Sequence, residues 1–184
     1  MTGASGVPYA VRLLEILVQE VLDVHLVASP ATSEVFRAEM GISLNPKLPR
    51  LEELICARNP HDQSELLSKA AKQLHIHGYQ DFSAGIASGS FRTQGMVVCP
   101  CSMGTLAAIA GGLSTNLIQR SADVHLKERR RLIVVPRETP LSAIHLQNML
   151  RLQEAGGIVM PAAPGFYHRP QSVEDLVDFL VMRI

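Results

Sequence analysis

Apolar positions along the chain fall into two rhythms. Val7, Val11, Leu14 and Val18 recur at helical spacing, which predicts a first helix with one buried face. Residues 23–28 (DVHLVA) read as a short buried strand, and three short apolar runs follow at 96–99 (MVVC), 132–135 (LIVV) and 158–160 (IVM). Runs of this kind, without alternation, predict strands covered on both faces. Leu74 to His77 is a weaker strand candidate.

Helices are predicted between the strands. Ser29-Pro30 has the cap and first-turn signature of a helix that runs to about Met40 and stops at Gly41. Asn59-Pro60 opens another, with Leu66, Leu67 and Ala70 on one face. Ser102 caps a helix of small residues ending near Gly111-Gly112, and Pro100 closes the strand before it. Ser114 caps a helix from Thr115 to Arg129. Pro140 opens one with Leu141, Ile144, Met149 and Leu152 inward, stopped by Gly156-Gly157. Ser172 caps the last, whose stripe is Val173, Leu176, Val177, Leu180 and Val181. Residues 42–58 read as a surface excursion, and residues 78–95 and 161–170 as loops.

Strands alternating with helices predict an α/β fold: a doubly wound, Rossmann-like parallel sheet in a three-layer sandwich. Residues 1–184 are expected to form a single domain, with no linker, repeat or low-complexity segment. Ligands of such sheets lie outside the carboxyl ends of the strands. The small residues Gly3, Ala4, Ser5 and Gly6, just before the first helix, suit a backbone turn that approaches a phosphate or a flat ring. A turn of this kind normally follows a strand, and no residues of the sequence precede it.

Composition narrows the function. With 17 basic and 17 acidic side chains, formal net charge is zero, which argues against a broad footprint for nucleic acid. Aromatics are only 4%, so base-stacking platforms are not expected. No apolar run approaches the roughly eighteen residues of a membrane span, and no signal-peptide pattern is present. Three cysteines make no disulfide framework, which suits a reducing cytoplasm.

Five segments follow strand ends: Gly3 to Ser5, Ser29, Ser102 to Thr105, Arg137-Glu138, and the loop around Tyr167. Three offer hydroxyl or small residues at helix N-termini, where free amides and the helix dipole attract anions. The first turn lacks the dinucleotide fingerprint G-x-G-x-x-G, and Ser29 stands where a ribose-binding acid would end the second strand. NAD is therefore disfavoured, and a mononucleotide such as FMN fits better. Asn116, Arg120, Asp123 and Lys127 share one helical stripe, readable as a solvated salt-bridged face or as a cationic wall for an anionic substrate. In Arg137-Glu138 the Arg can fork a phosphate and the Glu can move protons. His75 and His77 alternate onto one strand face without a third ligand, so no metal is expected. Cys99-Pro100-Cys101 lacks the spacer of a redox pair and reads as small buried side chains.

Several blocks resemble the UbiX-type flavin prenyltransferases. They are TGASG at the start, ASGS at 87–90, VVCPCSMGTLAAIA at 97–110, NLIQRSADVHLKERRRLIVVPRETP at 116–140, HLQNML, and PAAPGFYHRPQSVEDLVDF at 161–179. The resemblance spans nearly the whole chain. It implies transfer of a dimethylallyl group from dimethylallyl phosphate to N5 and C6 of reduced FMN, without a metal. The product, prenylated FMN, would serve a UbiD-type decarboxylase in ubiquinone biosynthesis or aromatic acid decarboxylation. It also implies a homododecamer with active sites at subunit interfaces.

Carried over by position, Gly3, Ala4, Ser5, Ser29, Ser102, Met103, Gly104, Thr105 and Arg137 would bind FMN. Lys127, Tyr167, Arg183, Phe82 and Ser88 would meet the dimethylallyl phosphate, while Arg120 and Glu39 match further active-site positions. Glu138 matches the acid–base residue, and Ser5 a neighbour of flavin N5. Phe82 stands where the family usually has Trp, which keeps a weaker π face. The family also has an apolar strand before TGASG and often a tail beyond Arg183, so the sequence is expected to be trimmed at both ends. Two other readings remain at this stage: an FMN-dependent decarboxylase of cysteine-derived substrates, whose P-x-M-N-x-x-M motif is not found here, and a flavin carrier without catalysis.

Overall fold

The computed structural model describes residues 1–20, 22–45, 47–55 and 64–184. In chain order the elements are α1 (Val7–Gln19), β1 (Val24–Val27), α2 (Thr32–Met40), α3 (Leu51–Ile55), α4 (Ser64–Gln73) and β2 (Leu74–His77). They continue with β3 (Gly95–Cys101), α5 (Met103–Ala110), α6 (Leu117–Lys127), β4 (Arg131–Pro136), α7 (Ala143–Glu154), β5 (Ile158–Val159) and α8 (Val173–Val181). A single 3-10 turn, Gly85–Ala87, interrupts the loop between β2 and β3.

All strand pairs are parallel, as the alternation of strands and helices predicts. The strands form two groups, however. β1 pairs with β2, and β3, β4 and β5 pair in that order. Between β1 and β3, Met1 and Thr2 bridge the groups through backbone hydrogen bonds. The Met1 amine donates to the Val27 carbonyl at 2.7 Å, while the Thr2 amide donates to the Pro100 carbonyl at 3.2 Å.

Of three buried clusters, the two largest flank this division. The predicted stripe Val7, Val11, Leu14 and Val18 is buried against Phe36, Leu54 and Ile55. The second core joins Val98, Leu106, Leu117, Ala122, Leu132 and Leu152. Full burial of each such side chain contributes about 1.5–3 kcal/mol, which makes these contacts the main support of both groups.

Several local expectations are corrected. The described part of 42–58, residues 42–45 and 47–55, is not merely a surface excursion, since Leu44 and the α3 residues Leu54 and Ile55 are buried in the core that α1 forms. β3 does not close at Pro100; it runs to Cys101 with a register irregularity after Val98. The helix after Ser29-Pro30 starts at Thr32, with no side-chain cap. Ser29 instead packs its hydroxyl against that of Thr32, 3.2 Å away. α6 is capped by Asn116, whose side chain accepts from the Gln119 amide, rather than by Ser114. α7 starts after Ser142, and of the four residues expected inward only Leu152 is fully buried. Met149 is half-buried, while Leu141 and Ile144 are exposed. Val173 is likewise exposed at the start of α8. The Asn59-Pro60 helix start lies outside the described residues.

Candidate active site

The carboxyl edge of the strands gathers the first turn and the N-termini of α1, α2 and α5. Gly3 is required by packing, because a Cβ there would lie 2.6 Å from the Ala31 Cβ. Gly6 takes a positive φ of 113°, a backbone conformation that other residues adopt at a cost. Glu39 reaches across from α2, and its carboxylate accepts from the Gly6 amide at 3.1 and 3.0 Å and the Val7 amide at 2.9 Å. It supplies the α1 cap that Gly6 cannot, and its charge suits the positive end of the helix.

Thr2 ties this turn to β3. Its hydroxyl donates to the Pro100 carbonyl at 2.9 Å and accepts from the Ser102 amide at 2.7 Å. Ser102 then caps α5, accepting from the Thr105 amide at 3.3 Å and donating to the Thr105 hydroxyl at 3.0 Å. Met103 is buried beneath this turn, and a Cβ on Gly104 would meet only open space. Among the described residues, the amides of Gly3, Ala4, Ser5, Met103 and Gly104 find no acceptor within the chain. Unpartnered amides on two helix-entry turns, beside residues with almost no side chain, fit the phosphate and ring of FMN.

Arg137 and Glu138 follow β4 directly on the same edge, and both side chains are exposed. Glu138 accepts from the Thr139 amide at 3.1 Å. The loop after β5 is held to β4 by the Ala162 amide, which donates to the Pro136 carbonyl at 2.9 Å. It carries Tyr167, 79% exposed, with its ring edge-on to Phe179 at 5.4 Å.

The remaining candidates lie along α6. Tyr79 accepts from the Leu117 amide, and from there the loop carrying Phe82 and Ser88 follows the helix toward the start of β3. Phe82 is exposed. Arg120 donates to the Ala87 carbonyl at 2.9 Å and pairs with Asp123 at 2.8 Å. Lys127 pairs with Glu128 beside Gly89, while Ser88 and Ser90 share a hydrogen bond of 2.9 Å. The stripe is thus salt-bridged, as the first sequence reading has it, and it faces the 87–90 segment. α6 ends at Lys127 just ahead of Arg131, the first residue of β4, so Lys127 stands at the amino end of the sheet. Arg183, just past the end of α8, lies between Met182 and Ile184, which line a cavity together with Leu22 and Asp23 ahead of β1. The single chain thus separates Lys127 and Arg183 from the Ser5, Ser102 and Glu138 edge.

Sequence reasoning overlooked Thr2 and Arg130. Arg130 donates to the carbonyls of Phe91 at 2.7 Å and Gly89 at 2.5 Å, holding the 87–91 segment. It also overlooked His25. This ring stacks between His75 and His77, and its Nδ1 lies 2.9 Å from the His77 Nε2. Burial, reinforced by neighbouring imidazoles, pushes His25 and His77 below their ordinary pKa. No cluster suited to a metal occurs among the described residues. Burial pushes the Cys99 and Cys101 thiols up to about 12, so both are protonated and unreactive at neutral pH.

A parallel α/β fold with free amides converging on one sheet edge defines a nucleotide-type binding protein, and the Flavoprotein family model matches residues 1–184. The flavin prenyltransferase UbiX of Pseudomonas aeruginosa is 50% identical over 184 residues, covering all of this chain and 84% of that protein. The crystal structure of AnUbiX (PadA1) in complex with FMN and dimethylallyl pyrophosphate superposes with a TM-score of 0.81. It is 40% identical and covers 100% of this chain and 86% of its own. A dodecameric FMN-dependent UbiX-like decarboxylase from Escherichia coli O157:H7 gives a TM-score of 0.80 at 39% identity, covering 100% of this chain and 91% of its own. The chain belongs to the flavoprotein family, in its UbiX flavin prenyltransferase branch.

Proposed function

We propose that the protein transfers a dimethylallyl group from dimethylallyl phosphate to N5 and C6 of reduced FMN, releasing prenylated FMN. The observation that carries this reading is the AnUbiX neighbour solved with both FMN and dimethylallyl pyrophosphate, which aligns over the whole chain. The five free amides of the first turn and of α5 support it from the geometry.

Gly3, Ala4, Ser5, Ser29, the run Ser102 to Thr105 and Arg137 hold FMN, with Ser5 beside N5. Bound reduced FMN supplies the two nucleophilic positions. Lys127, Arg120 and Arg183 take the phosphate of the donor, where positive charge favours the departing anion. The π faces of Tyr167 and Phe82 line the allyl group, whose carbon gains positive charge as phosphate leaves. Glu138 accepts the proton lost at C6. Glu39 sets the turn for these steps through the Gly6 and Val7 amides. The separation of Lys127 and Arg183 from the Glu138 edge is met by assembly, in which one copy supplies cations to the flavin edge of another. Exposed Leu141, Ile144, Leu146 and Leu150 offer apolar contact area for a dodecamer like that of the E. coli O157:H7 relative. The product passes to a UbiD-type decarboxylase in the cytoplasm.

Anaerobic incubation with reduced FMN and dimethylallyl phosphate, followed by mass spectrometry of released flavin, tests the reading. A gain of one five-carbon unit is expected. An unchanged flavin would overturn it in favour of a carrier or a decarboxylase.

A further inference from the structure

Residues 86–91 lead from the 3-10 turn toward β3, and side chains of α6 and of the turn after it hold their carbonyls. Ser121 donates to Ile86 at 3.2 Å, and Arg120 to Ala87 at 2.9 Å. Arg130 takes two more. One of its terminal nitrogens donates to Gly89 at 2.5 Å and the other to Phe91 at 2.7 Å. A planar guanidinium spans two acceptors in fixed geometry, whereas an ammonium is a point charge with rotating donors. The far end of the segment is anchored by Phe91, whose ring stands edge-on to His25 at 5.0 Å.

The backbone is shaped to aim this fork. After α6 the Arg129 amide donates to the Leu126 carbonyl at 3.1 Å, and the Arg130 amide to the His125 carbonyl at 2.8 Å. Helix ends of this form usually place glycine at the left-handed position. Here Arg129 takes it, with a φ of 55°, a conformation that is costly for a residue with a side chain. The chain thereby reverses directly after Lys127 and Glu128. On the opposite side the closest approach is made by Gly89. A Cβ there would overlap the Glu128 carboxylate and lie 2.9 Å from the Lys127 Nζ. Arg130 therefore draws the Gly89 backbone against the Lys127–Glu128 pair. Ser88 and Ser90, the residues before and after Gly89, share a hydrogen bond of 2.9 Å.

We propose that Arg130 is a positioning residue for the donor half of the site: by forking Gly89 and Phe91 it fixes the Ser88–Ser90 turn against the Lys127 ammonium, and so assembles the subsite for the phosphate of an allylic phosphate. The inference rests on the donor-binding reading of Lys127 given above. Arg130 acts through the segment, because its two terminal nitrogens are already committed to carbonyls. Hydroxyl and ammonium donors hold one phosphate only when all lie within about 3 Å of its oxygens. A shift of about 1 Å in such a segment is enough to cost about 10²-fold in rate. The FMN edge is built from the first turn and α5, so loss of the fork leaves it in place.

The test uses the whole FMN-loaded protein. Arg130→Lys keeps the charge and loses the fork, and Arg130→Met loses both. In each, KM for dimethylallyl phosphate is expected to rise about tenfold while kcat stays within about threefold and FMN affinity is unchanged. A wild-type KM in Arg130→Lys, or a fall in kcat alone, would overturn the positioning role. Amide hydrogen exchange reads the segment without reference to turnover. Exchange over 87–92 is expected to quicken in both variants while α5 and β4 stay as in wild type. Unchanged exchange there would overturn the clamp. Dimethylallyl phosphate is expected to slow that exchange in wild type and, at the same concentration, not in the variants. This result in a wild type that makes no prenylated FMN would keep the subsite and overturn prenyl transfer. Absence of donor protection in wild type would overturn the subsite itself. Gly89→Ala serves if the Arg130 variants do not fold. Its methyl group must push the segment away or displace Lys127, so the same rise in KM is expected, and an unchanged KM would overturn the proposal.

Discussion

The two ends of the sheet are built on different principles. The carboxyl edge is fixed from within the chain. Glu39 caps α1, Thr2 clamps the first turn to Ser102, and Gly3 lets the Ala31 turn approach closely. What it leaves free is a set of backbone amides. The amino end presents side-chain charge, Lys127 and Arg183, on elements that end at the surface. Backbone donors on a rigid turn suit a ligand of fixed shape, such as FMN. Long cations at the molecular boundary suit a smaller anion. Within one chain, the free backbone amides and these two cations therefore stand at opposite ends of the sheet.

The largest expected effect breaks the carboxyl edge chemically while leaving it intact physically. Glu138→Gln keeps FMN binding, because Glu138 makes only a local bond to the Thr139 amide. It slows formation of prenylated FMN by about 10²-fold or more, as expected for loss of a general base. Single-turnover mass spectrometry checks this, and a wild-type rate would remove Glu138 from proton transfer. A smaller effect attacks the rigidity of the same edge. Gly3→Val places a side chain 2.6 Å from the Ala31 Cβ, and overpacking of this kind costs about 1–3 kcal/mol. Chemical denaturation and FMN titration should both weaken, whereas a Gly104→Ala control should leave stability close to wild type, since its Cβ meets open space.

How much of this was legible in the sequence depended on the range of each interaction. The α1 stripe, the β4 run and the Ser172 cap were readable because their determinants lie within one or two turns of chain. The choice of Asn116 over Ser114 as a cap was not, because Gln119 takes the Thr115 amide and hydroxyl and resets the helix start. Leu141 and Ile144 misled for a different reason. An apolar residue facing outward and one facing the core look alike in a single sequence, and Ile144 proves 67% exposed. The roles of Thr2 and Arg130 depend on contacts with distant chain, Thr2 with Ser102 and Arg130 with Gly89, which no local pattern encodes. The candidate site residues lie at two ends of the sheet, and only the fold reveals that separation.

On the proposed function, a working site combines the Glu138 edge of one copy with Lys127 of another. Co-expression of Glu138→Gln with Lys127→Ala tests it most directly. Each variant alone should be nearly inactive. If the two residues act from different copies, random mixing at equal amounts leaves about a quarter of sites with both residues intact, and prenylated FMN formation should recover to that level. If mixed assemblies form and stay as inactive as either parent, both residues act from one chain, and the claim is contradicted.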